Sequence, residues 1–272
     1  MSGEGSSAAH TLLLRLAGPM QSWGVQSRFQ ERDTGREPSK SGVVGLLCAA
    51  LGRPREAPVA DLAALTMGVR VDRPGTLAAD YHTVGGTHRP GDRYGVAQVS
   101  GGTRTIASRR YYLADAAFMV GLQGPLLLLE QLDRALAEPV WPLYLGRRAF
   151  VPAEPVRLPD DHAHGGPGLR PGRCADVLRA YTWPEPRLGP RRAVAPPPRL
   201  MLVLDVAAVT EGHDSDLAER LIEVRRDTPV SFESSNRLFD ARQVVIDWVT
   251  QPPRQDSDHT VHHVEHDQEV TP

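Results

Sequence analysis

Residues 11–17 read Thr-Leu-Leu-Leu-Arg-Leu-Ala, and Gly18 and Pro19 follow at once. A run of this length, apolar but for one charge, fits a strand buried within a sheet, and the Gly-Pro pair ends it. From Ser39 the spacing changes. Val43, Leu46, Leu47, Ala50 and Leu51 recur at helical intervals, Ser39 suits an N-cap, and Gly52 with Pro54 stops the helix. A short helix over about 59–65 leads into residues 67–72 (MGVRVD), whose alternation predicts a half-buried strand. Strand-like stretches return at 106–113 and 116–122. Leu126, Leu129, Leu132 and Leu136 then mark one face of a helix that opens at Pro125 and ends at Pro139, and residues 153–158 supply a last strand. Strand, helix, strand, strand, helix, strand is the ferredoxin-like (RRM-like) order, so the predicted class is α+β. That fold hosts many activities and names none, although RNA-recognition modules use it.

Around this core the chain divides by composition. Residues 1–9 are a Gly/Ser-rich flexible start, and 10–158 hold the predicted ferredoxin-like domain. Inside it, 85–102 carry Gly, Arg and polar residues with too little apolar material to bury, which predicts a projecting hairpin or mobile insertion. Residues 159–198 are Pro-rich and read as loop. Strands at 200–206, 230–232 and 244–249 then form a smaller β-rich C-terminal region up to 253, before an acidic, disordered tail at 254–272.

The net charge of -2 argues against a surface that is basic throughout. Its distribution is uneven. Of 31 basic residues only Lys40 is a lysine, so the cationic chemistry is almost wholly guanidinium, suited to gripping phosphate through parallel hydrogen bonds; a GC-rich genome gives the same bias. Arg89, Arg93, Arg104, Arg109 and Arg110 lie between Tyr81 and Tyr112 against one acid, Asp92, whereas 255–272 have acids and no base. The two cysteines, Cys48 and Cys174, read as reduced thiols. No stretch has the length of a membrane span and the N-terminus lacks a signal pattern, so a cytoplasmic location without membrane contact is expected.

Each candidate site carries two readings. Gln21 and Trp23 in GPMQSWG (18–24) offer an amide and an aromatic plane for an unstacked base, or a Trp packed over a turn. Lys40 and Ser41 open the first long helix, where free N–H groups and hydroxyls suit phosphate, or where Ser39 merely caps. Arg147 and Arg148 follow Gly146 and suit a phosphodiester clamp, or a solvated loop. Tyr81, His82, Arg109 and Arg110 mix aromatics with charge as in single-strand binding, or are ordinary strand residues. His82 beside Tyr81 is also the candidate for metal-independent RNA cleavage as a general base. His259, His262, His263 and His266 have metal-ligand spacing, but an acidic segment without apolar anchors favours disorder, and no metal or cofactor is expected. Walker, zinc-protease and dinucleotide motifs are absent.

LRLAGPMQSWG (14–24), TGREPSKSGVVGLL (34–47), DYHTV (80–84), YLGRRAFVP (144–152) and RLFDAR (237–242), in this order, closely resemble the CasD family of type I-E CRISPR Cascade, within the repeat-associated mysterious protein superfamily. The similarity runs from about 12 to 249, outside the ends and 159–198. The resemblance implies a crRNA-binding subunit that holds the 5′ handle of the guide, touches the backbone and large subunits, and meets target DNA through the assembled complex. It implies Gln21, Trp23, Lys40, Ser41, Arg147 and Arg148 at or near the handle, with Arg104, Arg109 and Arg110 at the base of a thumb over about 82–108. In type I-E systems a separate subunit cuts the precursor, which implies binding without catalysis. A related type I-C branch cleaves, which keeps an endoribonuclease as the alternative.

Overall fold

The computed structural model describes residues 9–24, 31–85, 96–97, 103–160, 166–182, 197–210 and 221–250, with backbone alone at 96–97, 103–104 and 210. In chain order its elements are β1 (His10–Ala17), β2 (Met20–Gln21), β3 (Glu31–Arg32), α1 (Lys40–Leu51), α2 (Ala60–Ala63), β4 (Thr66–Arg73), β5 (Thr76–Val84), β6 (Val96–Ala97), β7 (Thr103–Arg104), β8 (Ile106–Ala114) and β9 (Ala117–Gly124). There follow α3 (Leu126–Ala137), β10 (Leu169–Pro171), α4 (Cys174–Ala180), β11 (Arg199–Asp205), α5 (Val206–Thr210), β12 (Ile222–Ser231) and β13 (Leu238–Thr250). The main sheet has the order β10-β1-β9-β4-β11-β13-β12, antiparallel at every step. Its composition is mixed α+β with mostly antiparallel sheet.

β1 is apolar along its length because both faces of the sheet are covered. Leu12, Leu14 and Leu16 enter the core beneath α1 and α3, while Leu13 enters a second core with α4 and α5. Arg15 lies on the same side as Leu13, 3% exposed, and its guanidinium is 2.6 Å from Asp72, which also takes Arg70 Nε at 2.7 Å. A charge in that position is tolerable only with such partners.

The helix signals are realised locally. The Ser39 side chain accepts from Gly42 N at 3.3 Å, and Gly52 ends α1 with φ +69°. Leu129, Leu132 and Leu136 are the buried stripe of α3.

Three expectations change. Residues 153–158 form no strand: the Leu14–Arg157 bridge and the backbone bonds from Arg15 N to Val156 O (2.8 Å) and from Ala153 N to Ala17 O (2.9 Å) reach β1, but Pro152, Pro155 and Pro159 deny a continuous ladder. The place beside β1 goes instead to β10, an edge strand inside the stretch read as loop. That stretch also holds α4, too short for its periodicity to stand out; it sits where Gly68 and Gly121 leave room, since a Cβ at Gly68 would lie 2.7 Å from Leu178 Cδ1. The C-terminal strands continue the main sheet through the β11–β4 pairing, Val203 opposite Val69.

Around the predicted insertion, β5 and β8 pair from Thr76–Ala114 to Val84–Ile106 as a two-stranded ribbon, and β6 pairs β7. The other edge of β8 takes β2 antiparallel and β3 parallel. Residues 86–95 and 98–102 of the insertion, residues 1–8 of the start and the tail from 251 lie outside the described residues. Among the described residues no helix is long and apolar enough to cross a membrane.

Candidate nucleic-acid interface

The turn after α3 is pinned to the loop after β1. Ser22 N donates to Leu145 O (3.1 Å), Leu145 N to Phe150 O (2.8 Å) and Phe150 N to Arg147 O (2.9 Å). Gly146 has φ +94°, and a Cβ there would lie 1.8 Å from Ser22 O, so the close approach needs glycine. This turn presents Arg147 with its guanidinium 5.5 Å from the Phe150 ring centre and one N–H donated to Arg32 O at 3.2 Å. Phe150 in turn packs on Tyr112 of β8 at 5.9 Å.

Strand alternation puts Ser108, Arg110 and Tyr112 on one face of β8, with Asp80 and His82 of β5 and Arg32 of β3 opposite them on that face. Arg110 donates from Nε to Ser108 Oγ at 3.1 Å. Arg32, Arg110 and Arg147 thus gather, and among the described residues none of the three makes an ion pair. Partial burial pushes the Arg147 pKa down, and the neighbouring Arg110 and Arg32 push it further, with Asp33 and Asp80 opposing. Clustered cations without matched carboxylates suit a polyanion, whose phosphates remove the repulsion. Arg148 is exposed beside this group. Arg109 and Tyr81 pair across the ribbon on the opposite face, and the Arg104 side chain lies outside the described residues.

Other predicted residues are engaged by the protein itself. Trp23 is 1% exposed and packs against Gly42 of α1, where a Cβ would lie 2.8 Å from its ring; its Nε1 donates to Gln21 Oε1 at 3.1 Å. Gln21 Nε2 donates to Leu16 O (3.1 Å) and Ala116 O (2.8 Å). The packed-tryptophan reading therefore describes this chain, and neither side chain presents a surface for a base. The start of α1 is likewise filled. Lys40 Nζ lies 3.2 Å from Asp205, Lys40 N donates to Asp227 at 2.7 Å, and Arg242 bonds Asp205 at 2.5 Å and Asp227 at 2.7 and 3.0 Å. An internal carboxylate occupies the place expected for phosphate. Ser41 is half-buried, 3.4 Å from Ser39 Oγ.

On β5 the neighbours Tyr81 and His82 point to opposite faces, and His82 Nδ1 lies 3.4 Å from Asp80 Oδ2.

A family model described as CRISPR-associated protein (Cas_Cas5) matches residues 11–245. The chain belongs to the Cas5 family. It is 36% identical over 162 residues to the CRISPR system Cascade subunit CasD of Escherichia coli (strain K12), covering 54% of this chain and 69% of that protein. Among solved structures it is similar to a chain of a CRISPR RNA-guided surveillance complex, with TM-score 0.68, 37% identity, and coverage of 89% here and 91% there. A second structure, titled as a crystal structure of a Cas protein, gives TM-score 0.62 and 41% identity over 89% of this chain and 95% of that one.

Sequence reasoning on this Cas5-family chain left Arg32 out of the candidate set, because the motif pattern departs from relatives around residues 31–34. Arg32 joins the cluster through the short parallel β3, which no local pattern announces. Among the described residues no group of His, Cys, Asp and Glu is set to hold a metal; the tail histidines lie outside them.

Proposed function

We propose that this Cas5-family chain is the crRNA-binding subunit of a type I-E CRISPR interference complex, holding the 5′ handle of the guide without cutting it. In this reading β1, α1, β4, β9, α3 and β10 are the ferredoxin-like half, a description supported by the order β10-β1-β9-β4. The β5–β8 ribbon with residues 82–108 is the thumb that reaches the backbone subunit, the large subunit docks beside it, and target DNA is met through the assembled complex in the cytoplasm. The observation that carries the reading is the cluster of Arg32 on β3, Arg110 on β8 and Arg147 on the turn after α3, none of which makes an ion pair among the described residues. Arg147, steadied on Phe150, grips a backbone phosphate, while Arg110 and Arg148 extend the grip and Arg104 and Arg109 serve the thumb base. The protein recognises handle and backbone; base pairing reads the target.

The test is incubation of the purified chain with its repeat RNA in EDTA, on native and denaturing gels. Intact RNA, retained with an affinity that falls steeply with salt, is expected. A second reading, metal-independent cleavage, is favoured by the His82–Asp80 contact on the same face as Arg110. Discrete fragments that disappear in His82→Ala would establish it and overturn the scaffold.

A further inference from the structure

The turn between β12 and β13 carries a stack that runs from the core to the surface. Phe232 packs against the main core, Phe239 meets it edge-on at 6.4 Å and 64°, and the Arg237 guanidinium lies 5.1 Å from the Phe239 ring centre. The turn is ordered from within: Asn236 N donates to Glu233 O at 3.1 Å, and the Glu233 carboxylate accepts from Ser235 Oγ at 2.9 Å. Arg237 is exposed and, among the described residues, makes no ion pair; Glu233, the acid of its own turn, is held by Ser235 instead. β12 is tied to the loop before α1 by Arg225 Nε on Glu37 Oε1 at 3.0 Å.

We propose that Arg237, held over Phe239, is a second phosphodiester contact for the single-stranded guide RNA, adding to the cations Arg32, Arg110 and Arg147. The inference rests on the reading of the chain as a crRNA-binding subunit. A guanidinium kept in one plane meets two phosphate oxygens with little left to order, and a polyanion relieves the repulsion between cations that the protein leaves unmatched. Electrostatics agree: partial burial, then Arg55, then Arg32 push the Arg237 pKa down. The contact with the Phe239 ring distinguishes this arginine from a solvated one, and lysine at the same position keeps the charge and loses the guanidinium fork.

The experiment measures the affinity of the full chain for its repeat RNA across a salt series, for wild type, Arg237→Ala, Arg237→Lys and Arg147→Ala, with thermal unfolding as the folding control. Arg237→Ala is expected to bind about tenfold more weakly, with a salt slope shallower by about 0.7, and Arg237→Lys to recover the slope but not the whole affinity. If wild type binds and Arg147→Ala weakens binding while Arg237→Ala changes neither affinity nor slope, the second contact is overturned and the functional reading stands. If wild type itself does not bind, that reading falls and this inference falls with it. Unchanged RNA affinity with lost co-purification of complex subunits would make the turn a protein contact, which also overturns the proposal.

Discussion

Two cationic clusters in this chain look alike in sequence and differ in what surrounds them. Lys40 and Arg242 face Asp205 and Asp227, with all four side chains between 3% and 9% exposed, so each charge has a partner and the group is closed to solvent. Arg32, Arg110 and Arg147 have backbone oxygens, a hydroxyl and aromatic faces for neighbours, and no ion pair among the described residues. The first holds α1 against β11, β12 and β13; the second, in the reading proposed, meets the phosphates of the guide. The difference is whether distant acids arrive, and those acids lie more than 160 residues from Lys40 in the chain.

The sharpest way to break the comparison is to remove one acid from the closed cluster. Asp227→Ala takes from the buried Arg242 guanidinium one of its two carboxylates, leaving Asp205, and from the Lys40 N–H its acceptor, and we expect about 3 kcal/mol of stability to be lost by denaturant unfolding. A loss below about 1 kcal/mol would mean that water reaches these charges and that the two clusters are of one kind.

Gly146 tests how far the open cluster depends on its scaffold. Gly146→Ala sets a Cβ against Ser22 O at a positive φ, which we expect to cost about 1–3 kcal/mol of stability and to weaken RNA binding together with it, because the turn that carries Arg147 must move. Unfolding and binding measured on one preparation check this; binding unchanged beside a large stability loss would detach the turn from the interface. Arg147→Ala should do the converse. We expect RNA affinity about tenfold weaker and stability within about 0.5 kcal/mol of wild type, measured on the same salt series and melts. A melt shifted as far as that of Asp227→Ala would place Arg147 among the structural charges.

The elements that were legible in the sequence are those whose signal is local. β1 declared itself by a run apolar but for Arg15, and α1 by Ser39, its periodicity and Gly52. What escaped depended on tertiary arrival: β10 takes an edge that prolines closed to 153–158, and α4 is seven residues seated on two glycines of other strands. The site divided in the same way. Arg110 and Arg147 were readable as cations near glycine and aromatics, whereas the engagement of Lys40 depends on Asp205 and Asp227, and that of Gln21 on the carbonyls of Leu16 and Ala116. A tryptophan beside Gly-Pro looks the same from its neighbours whether it faces a base or Gly42.

The smallest effect belongs to a pair that is ionic but exposed, and it completes the comparison from the other side. Arg53 grips Asp61 through two bonds of 2.6 and 2.7 Å, but the Asp61 side chain is 44% exposed, so water screens most of what the geometry offers. The hydrogen bond from Arg53 holds the Asp61 carboxyl below its usual pKa, against the opposing effect of partial burial. A carboxyl with a depressed folded-state pKa adds stability above its unfolded value and loses it as pH falls through the folded one. Asp61→Asn should therefore cost no more than about 0.5 kcal/mol at neutral pH, the same at pH 5, and nothing once pH drops well below about 4. Denaturant unfolding of the two proteins at each pH reads the difference directly. A cost near that of Asp227→Ala would show that two-point geometry alone, without exclusion of water, is enough to make an ion pair structural.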